Sequence, residues 1–294
     1  MQADLRPVVV GVDDSPGSAA ALIWALADAA ARSAPLRIVC AYQWLPSYLP
    51  LPGVTVAPEL DAGHLRRAAE VVVAKALDRI GPADPRRSEV WVTGEAIEGR
   101  AASVLVAAAE DAALVVLGSR HLRAFGSAVL GSVGAAVAAR AACPVVVVRG
   151  PAGDPVEDAR VIVGVDGTDA ARDVLRFAFS YASRHRVGLR AVLCWRPDPL
   201  ATMIWRPEPP VPTQAEARLS EILAGWREQF PEVLAQQSVV RDHPVAGLVA
   251  ASSAQHLLVV GSKTSQAMLG TLLGSVSQGL LHHATCPVAV VPTG

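Results

Sequence analysis

The sequence predicts two tandem α/β domains, each an open, mostly parallel sheet with helices on both faces. Three observations carry that prediction. One unusual stretch occurs twice. Leu114-Val115-Val116-Leu117-Gly118-Ser119, Gly131-Ser132-Val133 and Cys143-Pro144-Val145 are matched by Leu257-Leu258-Val259-Val260-Gly261-Ser262, Gly274-Ser275-Val276 and Cys286-Pro287-Val288, at one constant offset without insertion or deletion. Self-similarity of this length marks a duplicated unit. Short β-branched apolar runs, suited to strands buried on both faces, alternate with helical stretches, the order that builds right-handed βαβ crossovers. Finally, 294 residues at 52% hydrophobic and 18% charged suffice for two domains with cores of their own.

Each half opens on a strand and a sharp turn. Pro7-Val8-Val9-Val10-Gly11-Val12-Asp13 corresponds to Arg160-Val161-Ile162-Val163-Gly164-Val165-Asp166. Ser15-Pro16 offers an N-cap and a first-turn proline, and Thr168 or Asp169 can cap the second copy. Helices follow over roughly 17–33 and 170–186, then strands at Leu36–Tyr42 and Leu189–Trp195. The proline-rich stretches after them cannot pair in a central sheet and read as long loops. Helices over about 59–80 and 214–230 come next, with third strands near Val90–Thr93 and Ser238–Arg241. Helices over 99–110 and 246–253 lead to strands 114–117 and 257–260 and the glycine loops. The last helices, 133–140 and 276–283, precede the final strands Val145–Val148 and Val288–Val291. Residues 1–149 form the first domain and 160–294 the second. The linker 150–159 is turn-rich and charged, without an apolar period.

The net charge of -1 and a pI near 6.7 give no electrostatic case for nucleic acid or an anionic membrane surface. Mean hydropathy is +0.36, but the apolar runs are strand-sized and far too short to span a bilayer. No signal-peptide core precedes Pro7, so a cytoplasmic protein is expected. The four cysteines (Cys40, Cys143, Cys194, Cys286) form no CxxC pair and read as reduced, buried small residues. His282 and His283 are adjacent on a helix, so their side chains diverge and share no metal.

In an open parallel sheet, ligands bind beyond the carboxyl ends of the strands. The Asp13 and Asp166 turns and the Gly118–Ser132 and Gly261–Ser275 loops leave such ends. Glycine admits close backbone approach to phosphate oxygens, and the free amides of a helix opened by Gly131-Ser132 suit an anion. An aspartate after the first strand can accept hydrogen bonds from a ribose or an adenine amine. The same glycines also serve turns and close packing, and that reading stays open.

At these residues the chain resembles the tandem-domain members of the universal stress protein family. The resemblance rests on Gly-Val-Asp at the first turn, Val-Val-Leu-Gly-Ser before the loop, Gly-Ser-Val after it and Cys-Pro-Val-Val-Val-Val at the end, and it covers essentially the whole chain. It implies an adenine-nucleotide-binding domain of the adenine-nucleotide alpha hydrolase-like, Rossmann-like type, with the loop pattern G-x2-G-x9-G-S/T. Matched residue by residue, the nucleotide contacts are Asp13, Ala41, Gly118, His121, Gly131, Ser132 and Val133 in the first half. In the second half they are Asp166, Cys194, Gly261, Thr264, Gly274, Ser275 and Val276. His121 and Thr264 depart from the family at the second glycine. At positive φ, histidine would fit at modest cost and β-branched Thr264 badly. The implied ligand is ATP, with Asp13 and Ser15 as residues that could place Mg²⁺. The implied role is regulation in stress or growth arrest, with an unidentified protein partner. The family further implies antiparallel pairing of the two final strands within the chain, and a homodimer stays open. Two other readings stay open as well: a degenerate scaffold without ligand, and a slow ATPase.

Overall fold

The computed structural model describes residues 6–44, 62–81, 84–121, 128–129, 131–149, 159–168, 171–195, 213–252, 257–262 and 273–293. The proline-rich stretches and most of the linker lie outside them. In the first half the chain runs β1 (Val8–Gly11), α1 (Pro16–Arg32), β2 (Leu36–Tyr42), α2 (Ala62–Arg79), β3 (Val92–Glu98), α3 (Ala101–Ala108) and β4 (Leu114–Gly118). The short strands β5 (Arg120–His121) and β6 (Ala128–Val129), then α4 (Ser132–Arg140) and β7 (Val145–Val148), complete it. The second half repeats the order as β8 (Arg160–Val165), α5 (Ala171–His185), β9 (Gly188–Trp195), α6 (Thr213–Gln229) and β10 (Ala235–Arg241). It finishes with α7 (Pro244–Ala251), β11 (Leu257–Gly261), α8 (Ser275–His283) and β12 (Val288–Val291).

Ten of these strands form one sheet in the order β10-β9-β8-β11-β12-β7-β4-β1-β2-β3. Every ladder is parallel except the central one, where β12 and β7 pair antiparallel through Val288↔Val147, Ala289↔Val146 and Val290↔Val145. Strand side chains alternate between two cores, as the period of a strand requires. Val8, Val10, Val161 and Val163 point to the face covered by α1, α2, α5 and α6. Val9, Ile162, Val145 and Val288 point to the face covered by α3, α4, α7 and α8. A sheet buried on both sides explains why β1, β4 and β7 read as unbroken apolar runs.

The Ser15 cap forms: its Oγ accepts from the Ser18 amide at 3.1 Å, with proline in the first turn of α1. The expected third strands shift. The first begins at Val92 and runs to Glu98, and the second begins at Ala235. Both are edge strands with polar residues that are exposed, such as Thr93 and Gln236, or half-buried, such as Glu95 and Gln237, so no apolar run marks them. Pairing with the neighbour sets their length instead, from Leu36↔Val92 to Tyr42↔Glu98.

The halves also meet on the α1 and α5 face. The fully buried Asp28 on α1 accepts from Arg32 Nε at 2.5 Å and from His185 Nε2 on α5 at 3.0 Å. Burial by itself would push the Asp28 carboxyl up. The Arg32 guanidinium, the His185 hydrogen bond and the charges of His185 and Arg184 outweigh that and hold it below the ordinary carboxylate range. Tyr181 stacks on His185 at 4.0 Å and on Trp24 at 5.8 Å. On the opposite face, Arg149 Nη1 donates to the Ala284 carbonyl at the end of α8, at 3.1 Å.

Candidate functional site

In both halves the first strand sits where the strand order reverses: β1 between β2 and β4, β8 between β9 and β11. Crossovers leave such a position on opposite faces, so a crevice opens beyond its carboxyl end. The Asp13 and Asp166 turns lie there. Asp13 Oδ1 accepts from the Ser15 amide at 3.3 Å and from Ser15 Oγ at 2.6 Å. Asp166 Oδ1 accepts in the same way from the Thr168 amide at 3.0 Å and Thr168 Oγ1 at 2.7 Å. Both carboxylates are thus fixed through Oδ1, and neither Oδ2 has a hydrogen-bond partner among the described residues. The turns need a left-handed residue next: Gly167 takes it at φ 79°, and Asp14 at φ 59°. Aspartate tolerates that region better than most side chains. Asp14 is also held by Lys75 Nζ of α2 at 2.7 Å.

Gly118 and Gly261 end β4 and β11. At Gly118 the need for glycine is steric: a Cβ would lie 2.2 Å from the carbonyl carbon of Gly17 and 2.6 Å from the Ser18 nitrogen. The N-terminus of α1 packs directly on the backbone at this point. Gly131 and Gly274 are the N-caps of α4 and α8. Neither helix has a side-chain cap or an acidic residue in its first turn. The first-turn amides around Ser132, Val133, Ser275 and Val276 therefore keep an uncompensated positive end, the requirement for an anion. Ala41 is half-buried on β2, and Cys194 likewise on β9.

The second half gathers its residues around one cavity of about 200 Å³, lined among others by Asp166, Cys194, Gly261, Gly274 and Val276. Val165, Val174, Val192, Leu248 and Val260 supply apolar wall, and Ser277 and Thr293 add hydroxyl-bearing residues. Sequence reasoning did not single out those two residues. Nothing in the repeat marked them, since aligning Gly118 with Gly261 sets Ser277 and Thr293 against Gly134 and Gly150. In the first half, a larger cavity of about 510 Å³ lies between α1 and α2, lined by Val12, Asp14, Lys75 and Arg79 among others. It reaches Asp14 and Ser15 of the Asp13 turn but is lined by none of Ala41, Gly118 or Gly131. His121 lies in β5, its backbone paired with Ala128 of β6, so the strand replaces the left-handed turn considered above. Thr264 lies outside the described residues.

The cysteine chemistry separates Cys194 from the rest. Cys40, Cys143 and Cys286 are buried, and all four are free thiols. Burial pushes the Cys143 thiol up to about 11, and burial raises Cys286 as well. Cys194 is half-buried in the cavity wall, raised by burial and by the Asp242 carboxylate. Beside it, Arg241 lies over the Trp195 ring at 5.7 Å. Among the described residues, no group of three His, Cys, Asp or Glu side chains is placed to hold a metal ion. No described helix is long and apolar enough to cross a membrane.

The profile of the universal stress protein family matches this chain twice, at residues 5–149 and 159–292. A universal stress protein of Mycobacterium tuberculosis is 36% identical over 292 residues, covering 96% of this chain and 95% of that protein. A second from the same organism is 37% identical over 291 residues, with 96% of each chain covered. Among solved structures, a universal stress protein from Archaeoglobus fulgidus superimposes with a TM-score of 0.68 at 18% identity, covering 98% of this chain and 97% of that one. That last likeness concerns the fold.

Proposed function

Because the chain belongs to the universal stress protein family, with two family domains in tandem, we propose that it is an adenine-nucleotide-binding regulatory protein of a stress or growth-arrest response. It acts by binding a ligand, in the cytoplasm, as one chain whose halves join through their final strands. The observation that carries the reading is the cavity of about 200 Å³ at the switch point of the second half, lined by five of the seven residues matched to the family's nucleotide contacts. Its size decides how a nucleotide would sit. Pockets that enclose a drug-sized ligand run to about 300–1,000 Å³, so this one takes the base and sugar rather than a whole triphosphate.

The apolar wall beside Cys194 suits the base, and the Asp166 carboxylate suits a ribose hydroxyl or amine donor. The phosphates then fall at the uncapped N-terminus of α8, on the Ser275 and Val276 amides. Asp13, Ala41, Gly118, Gly131, Ser132 and Val133 form the corresponding set of the first half, and the cavity of about 510 Å³ there is lined by none of Ala41, Gly118 or Gly131. The second half is the stronger candidate for occupancy.

The test uses Cys194 as a reporter. Iodoacetamide labelling of the intact protein, read by peptide mass, should slow at Cys194 when AMP or ATP is added. A thermal shift should accompany it, since ligand at 100 times Kd stabilises by about 2.7 kcal/mol. Unchanged labelling together with an unchanged melting temperature at millimolar nucleotide would refute the reading and leave the scaffold.

A further inference from the structure

The repeat makes one chemical difference between the halves visible: two residues of the second cavity bear hydroxyls where the aligned residues of the first half are glycines. Thr293 and Ser277 line the second cavity, while the aligned positions of the first half are Gly150 and Gly134. Both residues are almost fully buried and are tied to the start of the glycine loop. The Thr293 amide donates to Ser262 Oγ at 3.3 Å. The Ser262 amide donates to the Val291 carbonyl, and its own carbonyl accepts from the Gly274 amide, both at 2.8 Å. Ser277 Oγ donates to the Gly274 carbonyl at 2.9 Å and lies 3.4 Å from the Ser262 carbonyl. The backbone that follows β12 is thereby fastened beside the N-terminus of α8, where the phosphate end of a ligand would lie. Ser277 has its proton committed to a carbonyl. Thr293 has no such commitment among the described bonds, and a hydroxyl can donate one hydrogen bond and accept two.

We infer that Thr293 is a specificity-determining residue of the second-half site, contacting the phosphate of a nucleoside 5′-phosphate and making the two halves unequal in ligand preference. This rests on the reading of the second crevice as a nucleotide site. No aligned residue of the first half can make the contact, because Gly150 has no side chain. The second site therefore favours a phosphorylated nucleoside over the free nucleoside more strongly than the first.

The test compares AMP with adenosine on the intact protein, wild type against Thr293→Val and Thr293→Ser, with Cys194 protection and calorimetric titration as readouts. Valine keeps the shape and removes the hydroxyl; serine restores it. A hydrogen bond to a charged partner contributes about 1.5–3 kcal/mol, so Thr293→Val should weaken AMP binding by about tenfold or more. It should leave adenosine within about twofold, and Thr293→Ser should recover most of the loss. A purely structural role would weaken both ligands together, and that result overturns the inference, as does AMP binding in Thr293→Val equal to wild type. Wild-type protein that protects Cys194 with neither ligand would overturn the nucleotide reading itself and the inference with it.

Discussion

Replacing Asp28 by alanine should be among the most damaging single changes outside the crevices. The carboxylate has no exposed surface and holds two cationic or polar partners, Arg32 at 2.5 Å and His185 at 3.0 Å, that are 10% and 19% exposed. Alanine removes the anion and leaves a guanidinium in a nearly dry joint. Removing one partner of a buried ion pair costs about 3–5 kcal/mol, because the remaining charge stays uncompensated. The expected loss is thus about 3 kcal/mol or more, read as a lower urea midpoint and a melting temperature reduced by roughly 6 °C or more. The cycle with His185→Ala isolates the contact between halves, with an expected coupling of about 1–3 kcal/mol.

The acid dependence has a defined sign. Asp28 is held below its ordinary range in the folded protein, so its contribution is fully present above the unfolded value of about 3.9 and is lost as pH falls through the folded value. The wild type should therefore lose stability more steeply than Asp28→Ala as pH falls from about 5 toward 3. A loss under about 1 kcal/mol, no coupling to His185 and parallel acid curves would together refute the argument.

Gly118→Ala should destabilise by about 1–3 kcal/mol without any ligand present, since its Cβ would meet the Gly17 and Ser18 backbone rather than a movable side chain; an unchanged melting curve counts against that packing. Native iodoacetamide labelling at pH 8 should leave Cys143 unmodified, its thiol being buried and pushed up to about 11, while Cys194 reacts slowly. Mild oxidation should give no Cys143–Cys286 bond on non-reducing gels. The β7–β12 register places the residues preceding Val145 and Val288 at opposite ends of the ladder, too far apart for disulfide geometry. A separated first half, residues 1–149, would leave β7 unpaired, and an apolar strand edge seeks a partner. It should run as a dimer in light scattering, and a strict monomer at all concentrations would contradict this.

Sequence alone determined the parts whose cause is local. The strand at Leu36–Tyr42 was legible to the residue because an apolar β-branched run lies between turn signals. The repeat and the Gly-Ser-Val helix starts were legible because their spacing survived duplication. The starts of the edge strands were read two and three residues off, since solvent on one side removes the apolar period and only the register with β2 or β9 sets their limits. Asp166, Cys194, Gly261, Gly274 and Val276 were named from motif, yet nothing in the motif placed Ser277 and Thr293 beside them. They line the same cavity because β12, which α8 precedes and Thr293 follows, lies next to β11 and β11 next to β8. The contact between Asp28 and His185 spans 157 positions and exists because the β7–β12 pairing brings α1 and α5 together on one face. Local periodicity and turn chemistry act over a few residues and can be read along the chain; strand order and the joining of the halves place distant residues together, and only the folded structure decides them.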